Sequence, residues 1–559
     1  MPAPNQRRGQ SATRSLLLFA DGSRPIISAT LREEALPVTR RELMELAAKL
    51  GLVSMAPVAA ACPAVEEPPS TWPPFEGCEP ETVAWEWDGE AGPEGLFTHG
   101  VASGDPLPGG VILWTRAVAD EAQDVEVFWE VATDASLSDV VASGITTAAA
   151  SRDFTVKVDV ACLRPATTYW YRFSAQGRTS PVGRTRTAAY GATEALKFAV
   201  CSCSNFPAGY FHGYRAIAEI DDLELVFHLG DYIYEYGGSG IRPHTPAREL
   251  VSVDDYRERY AQYRSDPDLQ AAHAAHPFVC VWDDHETANN SWSDGASNHN
   301  AGEGEWEDRK AAAHQALLEW LPVREPEQGL LYRRFVWGDL ADFFVLDTRI
   351  EGRDEQSTTQ EEAYDPDRQL LGESQEAWLL SGIEDTRSRW TVLAQQVVMA
   401  QWSVAADADG RPLPINRDAW DGYFHARQRV LEAIQVAERD LVVLTGDVHS
   451  SWANDLAMDF SAYNVVTHTG GVGVEAVAPG ITSGGGAVEL AQNLAVSTPH
   501  IRWADSLLRG FVVVDASHDG LSAEWHLLDD GTIESPSYAP PSVHARFVVH
   551  PGEPWWVED

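Results

Sequence analysis

A chain of 559 residues with 44% apolar side chains and 20 tryptophans can bury a substantial core, and its length calls for two or three domains. Its 84 acidic against 41 basic residues leave a formal charge of −43, which repels DNA and RNA and excludes nucleic acid as a partner. No stretch reaches the roughly 20 apolar residues of a clean transmembrane span, and six cysteines do not make a disulfide framework.

Residues 1–62 read as an address. Thr39-Arg40-Arg41-Glu42-Leu43-Met44 precedes a moderately apolar segment ending in Val58-Ala59-Ala60-Ala61-Cys62, the pattern of a twin-arginine export signal to the periplasm or cell surface. A cysteine after three alanines also fits a lipid-anchored N-terminus at Cys62, and an amphipathic helix from Arg40 to Leu52 is the plain alternative. Residues 63–95, rich in Pro, Glu and Gly, read as a surface linker.

Residues 96–189 alternate between short β patterns and turn residues. Val125–Val131 and Phe154–Val160 alternate apolar and polar positions, as in an antiparallel β-sandwich. Leu163-Arg164-Pro165-Ala166-Thr167-Thr168-Tyr169-Trp170-Tyr171-Arg172-Phe173 resembles the corner and strand of a fibronectin type III module. No catalytic constellation stands there, so a packing or positioning role is expected.

Over residues 195–530 apolar strands alternate with helical patterns at Gly209–Ile220, Glu305–Leu321 and Gln375–Arg387, which predicts an α/β sandwich. Three strands end in metal-ligand types: His228-Leu229-Gly230-Asp231-Tyr232-Ile233-Tyr234, Val281-Trp282-Asp283-Asp284-His285-Glu286, and Leu444-Thr445-Gly446-Asp447-Val448-His449. The carboxyl ends of strands are where open α/β sheets place ligand sites. Residues 531–559 read as a tail packed along this domain.

Donor types separate two ion sites. Cys203, Asp231, Tyr234 and His449 form a mixed sulfur, oxygen and nitrogen set whose thiolate and phenolate favour a trivalent transition ion, Fe(III) first. Asp284, Asp447 and either Asn289 or Asn290, with Asp231 able to bridge, form an all-oxygen set. It suits Ca²⁺, and Mg²⁺ or Mn²⁺ less well. Two metals about 3.5–4 Å apart hold a phosphate and polarise a bridging hydroxide. Bound cations would also reverse, locally, the repulsion of phosphorylated substrates by the acidic surface. His285 stands where it can protonate the leaving oxygen or bind a phosphoryl oxygen. Asn205 and Arg349 are candidates for gripping the phosphate.

Cys203-Ser204-Asn205-Phe206-Pro207-Ala208-Gly209-Tyr210-Phe211, the Gly-Asp-Tyr-Ile-Tyr turn, Trp282-Asp283-Asp284-His285-Glu286 and Leu444–His449 together resemble the alkaline phosphatase D (PhoD) family. Shorter matches at Gly100–Pro106, Trp320–Arg324 and Leu346–Arg349 extend the resemblance from about Phe97 to about Asp530. The resemblance implies an exported hydrolase of phosphodiesters and phosphomonoesters with iron and calcium at the site. It also implies a four-layer metallophosphatase fold behind a small fibronectin/Ig-like β-sandwich. Cys201 stands where a small residue is expected, which leaves the ligand cysteine open between Cys201 and Cys203, with Ser-Asn-Phe favouring Cys203.

Several motifs have plainer readings. His285-Glu286-Thr287-Ala288-Asn289 begins like a zinc-protease helix but lacks the second histidine. His273 and His276 are expected at a solvated helix end, and Gly470-Gly471-Val472-Gly473 in a loop bordering the site. The functional reading is a metal-dependent alkaline phosphatase or phosphodiesterase, monomeric by default, with Fe(III) and Ca²⁺. A surface-binding protein that keeps the fold without hydrolysis is the alternative. Natural substrate and ester preference stay open, with Gly237–Pro246 as a loop able to gate the site.

Overall fold

The computed structural model describes residues 78–119, 123–325, 329–484 and 488–559, together with the backbone of the strands Ser15–Phe19 and Pro25–Thr30. Two units divide the chain, Met1–Glu67 and Pro68–Asp559. In the first, the two strands pair antiparallel; the twin-arginine segment, Cys62 and the first part of the expected linker lie outside the described residues. The second unit carries everything else. No helix among the described residues is long and apolar enough to cross a membrane.

Two large sheets make the centre of the second unit. The ten-stranded sheet runs, strand by strand, Glu553–Glu558, Ser542–His550, Leu521–Leu528, Arg509–Ser517, Ala195–Cys201, Leu225–His228, Pro277–Cys280, Val101–Leu107, Gly110–Arg116, Thr155–Val160. The seven-stranded sheet runs Arg333–Trp337, Ala341–Val345, Trp390–Ala394, Asp440–Thr445, Gly471–Val477, Ser451–Ala457, Ile501–Asp505. Strand alternation assigns the faces. Phe343, Val392, Val442 and Leu444 point into the core between the sheets, where the Phe343 ring lies 4.8 Å from Phe227 and 5.5 Å from Phe198. Phe344, Leu393, Leu441 and Val443 point the other way, against Leu379 and Ile383 of the helix Gly372–Asp385 and Val430 and Ile434 of Phe424–Val436. On the far side of the ten-stranded sheet lie Ile217, Tyr260, Leu269 and Leu317, from the helices His212–Ala218, Val253–Arg264, Pro267–Ala275 and Trp306–Trp320. The layers are therefore helix, sheet, sheet, helix, the four-layer α/β sandwich expected from the sequence.

Local sequence sets the helix starts. Ser252 and Asp255 form a reciprocal capping box, and Asp266 caps a helix that opens on Pro267.

The N-terminal sandwich is fused to this body. Its separate sheet has the order Gly183–Arg186, Thr168–Ala175, Val125–Ala132, Val140–Ala148, with Arg178–Thr179 at the side. The facing sheet is the end of the ten-stranded one, where Val101–Leu107 pairs in parallel with Pro277–Cys280 through Ser103 and Gly104. The tyrosine corner is present, with the Arg164 backbone N–H donating to the Tyr169 hydroxyl at 2.9 Å. Residues 78–95, expected as linker, lie on the sandwich. Cys78 forms a disulfide with Cys162, Ser143 N donates to Glu81 O at 2.9 Å, and Trp85 stacks on Phe128. The last segment is more than a tail, since Ser542–His550 and Glu553–Glu558 add two strands to the large sheet.

Two local expectations are corrected. His273 and His276 are buried, not solvated: His273 stacks on Phe278 and meets the Tyr232 hydroxyl at 2.9 Å, and His276 lies 3.1 Å from the Ile217 carbonyl. Each imidazole answers a polar group of a neighbouring element, His273 on the turn after Leu225–His228 and His276 on the helix His212–Ala218. Gly471 and Gly473 sit in a strand, and a Cβ on Gly473 would press on Leu441 of the next strand.

Candidate metal centre

The loops after Ala195–Cys201, Leu225–His228 and Pro277–Cys280 converge with the loop after Asp440–Thr445 of the other sheet. Backbone bonds tie the first two together, Cys203 N to Gly230 O at 3.1 Å and Ser204 N to Asp231 O at 2.9 Å. The third joins through Glu286, a buried carboxylate that accepts the backbone N–H groups of Asp231, Tyr232 and Asp283 at 3.0, 2.6 and 2.8 Å. Backbone strain concentrates at these turns. Cys203, Asp231, Asn290, Asp447 and His449 all adopt positive φ, between 50° and 62°. Such conformations cost on the order of 1–3 kcal/mol each and persist only where surrounding structure imposes them.

Among the described residues, three overlapping groups of side chains could hold an ion, each with its ligand atoms within 4.8 Å of one another. They are Cys203, Asp231 and His449; Asp231, Asp284 and His285; and Asp283, Asp284 and Asp447. Asp231 is shared by the first two and Asp284 by the last two. Tyr234 belongs with the first group, its hydroxyl 2.9 Å from Asp231 Oδ2, 3.2 Å from His449 Nε2 and 2.5 Å from Ser483 Oγ. Cys201 points elsewhere, its Sγ 3.7 Å from the Phe227 carbonyl in the sheet interior.

The second set is held from several sides. Asn290 N donates to Asp284 Oδ2 at 2.6 Å, and Asn289 N donates to Glu235 Oε1 at 2.9 Å. The two asparagines thus stay alternatives as side-chain ligands. His285 Nδ1 lies 2.6 Å from Glu235 Oε2, and the imidazole packs on the Tyr234 ring at 4.3 Å. Asn205 donates to the Tyr236 hydroxyl at 2.7 Å and keeps its Oδ1 buried without a protein partner.

Arg349 takes a different place from the one expected. It is 0% exposed, and each guanidinium nitrogen is committed: Nε to Asp283, Nη1 to Asp418 at 2.6 Å, and Nη2 to Asp447, with Asp284 at 3.9 Å. A guanidinium so enclosed has no face for a phosphate. It neutralises the carboxylates from beneath.

One arginine does not balance this cluster. Burial first, against the pull of Arg349, and then the Asp418, Asp284 and Asp231 carboxylates push Asp447 up to about 7. Burial and then Asp231 push the Cys203 thiol and the Tyr234 phenol well above their ordinary values. Against burial, Arg349 and His285 hold Asp284 below the usual carboxylate range. Glu235 and His285 agree as an ion pair. Against burial, His285 lowers Glu235, while Glu235, Asp284 and Asp231 raise His285. Thiol, phenol and carboxyl groups that cannot all ionise by themselves can do so around cations, and Asp283 Oδ2 is buried without a protein partner. The donor set fits a metal centre.

Sequence reasoning did not single out Asp283, Glu235, Ser483 or Asp418. Asp283 had a signal, since it adjoins Asp284. Ser483 and Asp418 lie in segments without a motif, and Glu235 reads as one more acid after the Tyr234 turn.

The family model described as PhoD-like phosphatase matches residues 198–525, and that of the PhoD-like phosphatase N-terminal domain matches residues 83–189. Alkaline phosphatase D of Bacillus subtilis (strain 168) is 40% identical over 449 residues, covering 74% of this chain and 75% of that protein. A solved structure titled "Structure of PhoD" superimposes with a TM-score of 0.76 at 37% identity, over 85% of this chain and 93% of that one.

Proposed function

The chain belongs to the PhoD-like phosphatase family and is a phosphoric ester hydrolase of that type; we propose that it works outside the cytoplasm, with Fe(III) and Ca²⁺ held by the residues of the four converging loops. The observation that carries this reading is the overlap of the three ligand groups through Asp231 and Asp284. Cys203, Asp231, Tyr234 and His449 would hold the ferric ion. Asp231, Asp284, Asp447 and one of Asn289 and Asn290 would hold calcium. When bound, the ions supply positive charge for the phosphoryl group and an activated hydroxide.

The chain's own groups do the rest. Asn205, beside the site with one amide N–H on Tyr236, has its second amide N–H for a phosphoryl oxygen and so orients the ester. His285, held through Nδ1, presents its other nitrogen to the leaving oxygen. Arg349 keeps Asp283 and Asp447 in place. Export, to the periplasm or cell surface, is supported by the Cys78–Cys162 disulfide, since such bonds persist in oxidising compartments, and by the Arg40-Arg41 pattern.

The test is hydrolysis of bis-(p-nitrophenyl) phosphate and p-nitrophenyl phosphate, with calcium and with a chelator, by the wild type and by Asp231→Asn and His449→Ala. Turnover lost on chelation, restored by calcium and reduced by orders of magnitude in both variants is the expected result. Undiminished turnover in both variants would refute the site.

A further inference from the structure

Glu235 follows Tyr234 directly, and its carboxylate is 0% exposed. Both oxygens are used. Oε2 lies 2.6 Å from His285 Nδ1, while Oε1 accepts from Asn289 N at 2.9 Å and from Asn298 Nδ2 at 2.5 Å. One side chain therefore grips the imidazole beside the ligand groups and the turn that carries the asparagine ligand. The imidazole is also fixed by rings on two sides, Tyr234 at 4.3 Å and Tyr236 edge-on at 5.8 Å. Asn298 is anchored in turn, its carbonyl accepting from Arg309.

A buried carboxylate costs several kcal/mol of desolvation unless a charge answers it. The amides of Asn289 and Asn298 could be satisfied by a neutral acceptor. The third partner is His285, and an acceptor 2.6 Å from Nδ1 fixes that nitrogen as the one facing Glu235.

We propose that Glu235 is a positioning residue for hydrolysis. It fixes the His285 ring with Nδ1 turned away from the substrate and Nε2 toward the ester oxygen, and by the same carboxylate sets the Asn289 turn. This rests on the phosphohydrolase reading of the site. In the step concerned, a hydroxide oxygen bonds to phosphorus as the phosphorus–ester oxygen bond breaks. The ester oxygen leaves with the electron pair and takes the proton from His285 Nε2, and the imidazole ends neutral, still donating through Nδ1 to Glu235. Without Glu235 the packed ring loses the hydrogen bond that decides which nitrogen faces the ester, and the proton is no longer delivered in line.

The experiment compares the full chain as wild type, Glu235→Gln, Glu235→Asp, His285→Ala and the Glu235→Gln/His285→Ala double variant. Each is assayed on bis-(p-nitrophenyl) phosphate and on diphenyl phosphate, whose leaving group is poorer. Metal content and thermal midpoint are read beside the kinetics. Glu235→Gln is expected to lower kcat by about 10–100-fold, with KM nearly unchanged and the larger loss on the phenyl ester. In the His285→Ala background the same change is expected to cost less than about 2-fold, because partners in one interaction are not additive. Glu235→Asp, which keeps the charge, is expected to recover part of the loss.

Equal losses in both backgrounds, or no difference between the esters, overturn the proposal. So does a Glu235→Asp variant no better than Glu235→Gln, which would leave the charge without a part. Wild type that cleaves neither ester fails the phosphohydrolase reading itself and takes this inference with it. Additivity in an otherwise active enzyme fails the inference alone.

Discussion

The Tyr234 hydroxyl lies 3.2 Å from His449 Nε2, although 215 residues separate them. The two arrive from different sheets, Tyr234 on the turn after Leu225–His228 and His449 after Asp440–Thr445. Burial and the adjacent Asp231 hold the phenol protonated in the absence of a cation. A ferric ion would remove that proton and colour the protein through the phenolate. Tyr234→Phe is therefore expected to remove the phenolate band from the visible spectrum of iron-loaded protein, leaving the band of the Cys203 thiolate, and to cut iron affinity by at least ~10-fold. A visible spectrum with an iron assay decides it; an unchanged band would place the colour on another group.

Arg349 separates a structural from a substrate role. It is the counter-charge of Asp283, Asp418 and Asp447. Arg349→Met leaves these carboxylates without it, and breaking a buried ion pair on one side costs about 3–5 kcal/mol. The expected outcome is a loss of that size in denaturant titrations of chelator-treated protein. Calcium is expected to restore part of it. A residue that gripped the phosphate would instead raise KM and leave stability alone.

The Cys78–Cys162 disulfide closes a loop over 84 positions of sequence. In the chain-entropy account a crosslink over a loop of that length restricts the unfolded state by about 4–5 kcal/mol. Replacing both cysteines by serine is expected to lower the thermal midpoint by several degrees and to leave turnover at low temperature intact, since the bond lies on the N-terminal sandwich. Calorimetry and an ester assay on the same sample test both halves.

What was legible in the sequence was the order of strand and ligand. Apolar strands broken by Gly230-Asp231 and Gly446-Asp447 marked the places where the chain delivers carboxylates, and these loops do converge. The direction of a side chain was not legible. Leu346-Asp347-Thr348-Arg349 carries the same letters whether the guanidinium faces a substrate or turns inward to Asp283 and Asp418. Pairing across long separations was equally hidden. Periodicity identified strands in the N-terminal region, but not that Val101–Leu107 would join Pro277–Cys280 in parallel. Nor did spacing pair Cys78 with Cys162, because the choice of partner depends on how residues 78–95 lie on the sandwich.

Lys157 predicts a pH response unrelated to chemistry at the site. Burial first, and then Arg152, against the pull of Glu325, lower its ammonium to about 8 from 10.5. Its nearest acid is Glu325 at 4.0 Å. Below about pH 8 the folded chain carries a poorly solvated charge that the unfolded chain solvates freely. Between about 8 and 10.5 the unfolded state binds more protons, so stability rises with pH there, by at most about 3 kcal/mol. Lys157→Met is expected to be more stable than wild type at pH 7 and to flatten this rise. Denaturation curves at pH 7 and pH 10 are the measurement, and parallel curves for both proteins would remove Lys157 as the cause.

Gly230 tests whether two loops must touch for the site to form. Its φ is +98°, and a Cβ there would collide with the backbone nitrogen of Asp283 and stand 2.7 Å from the carbonyl carbon of Trp282. No rotation of a flexible side chain relieves a clash with backbone. Gly230→Ala must therefore move Asp231 away from Asp283 and Asp284, separating the residues shared among the ligand groups. The expected result is a loss of at least ~2 kcal/mol in stability, with a larger proportional loss of turnover and bound metal. Gly552→Ala is the control, since Gly552 also has positive φ, +73°, but nothing stands within 4 Å of its Cβ position. It isolates the cost of the backbone conformation, and its turnover is expected to match wild type. If Gly230→Ala instead loses no more than Gly552→Ala in stability, metal and rate, the contact between the Asp231 and Asp283 loops is not what assembles the site.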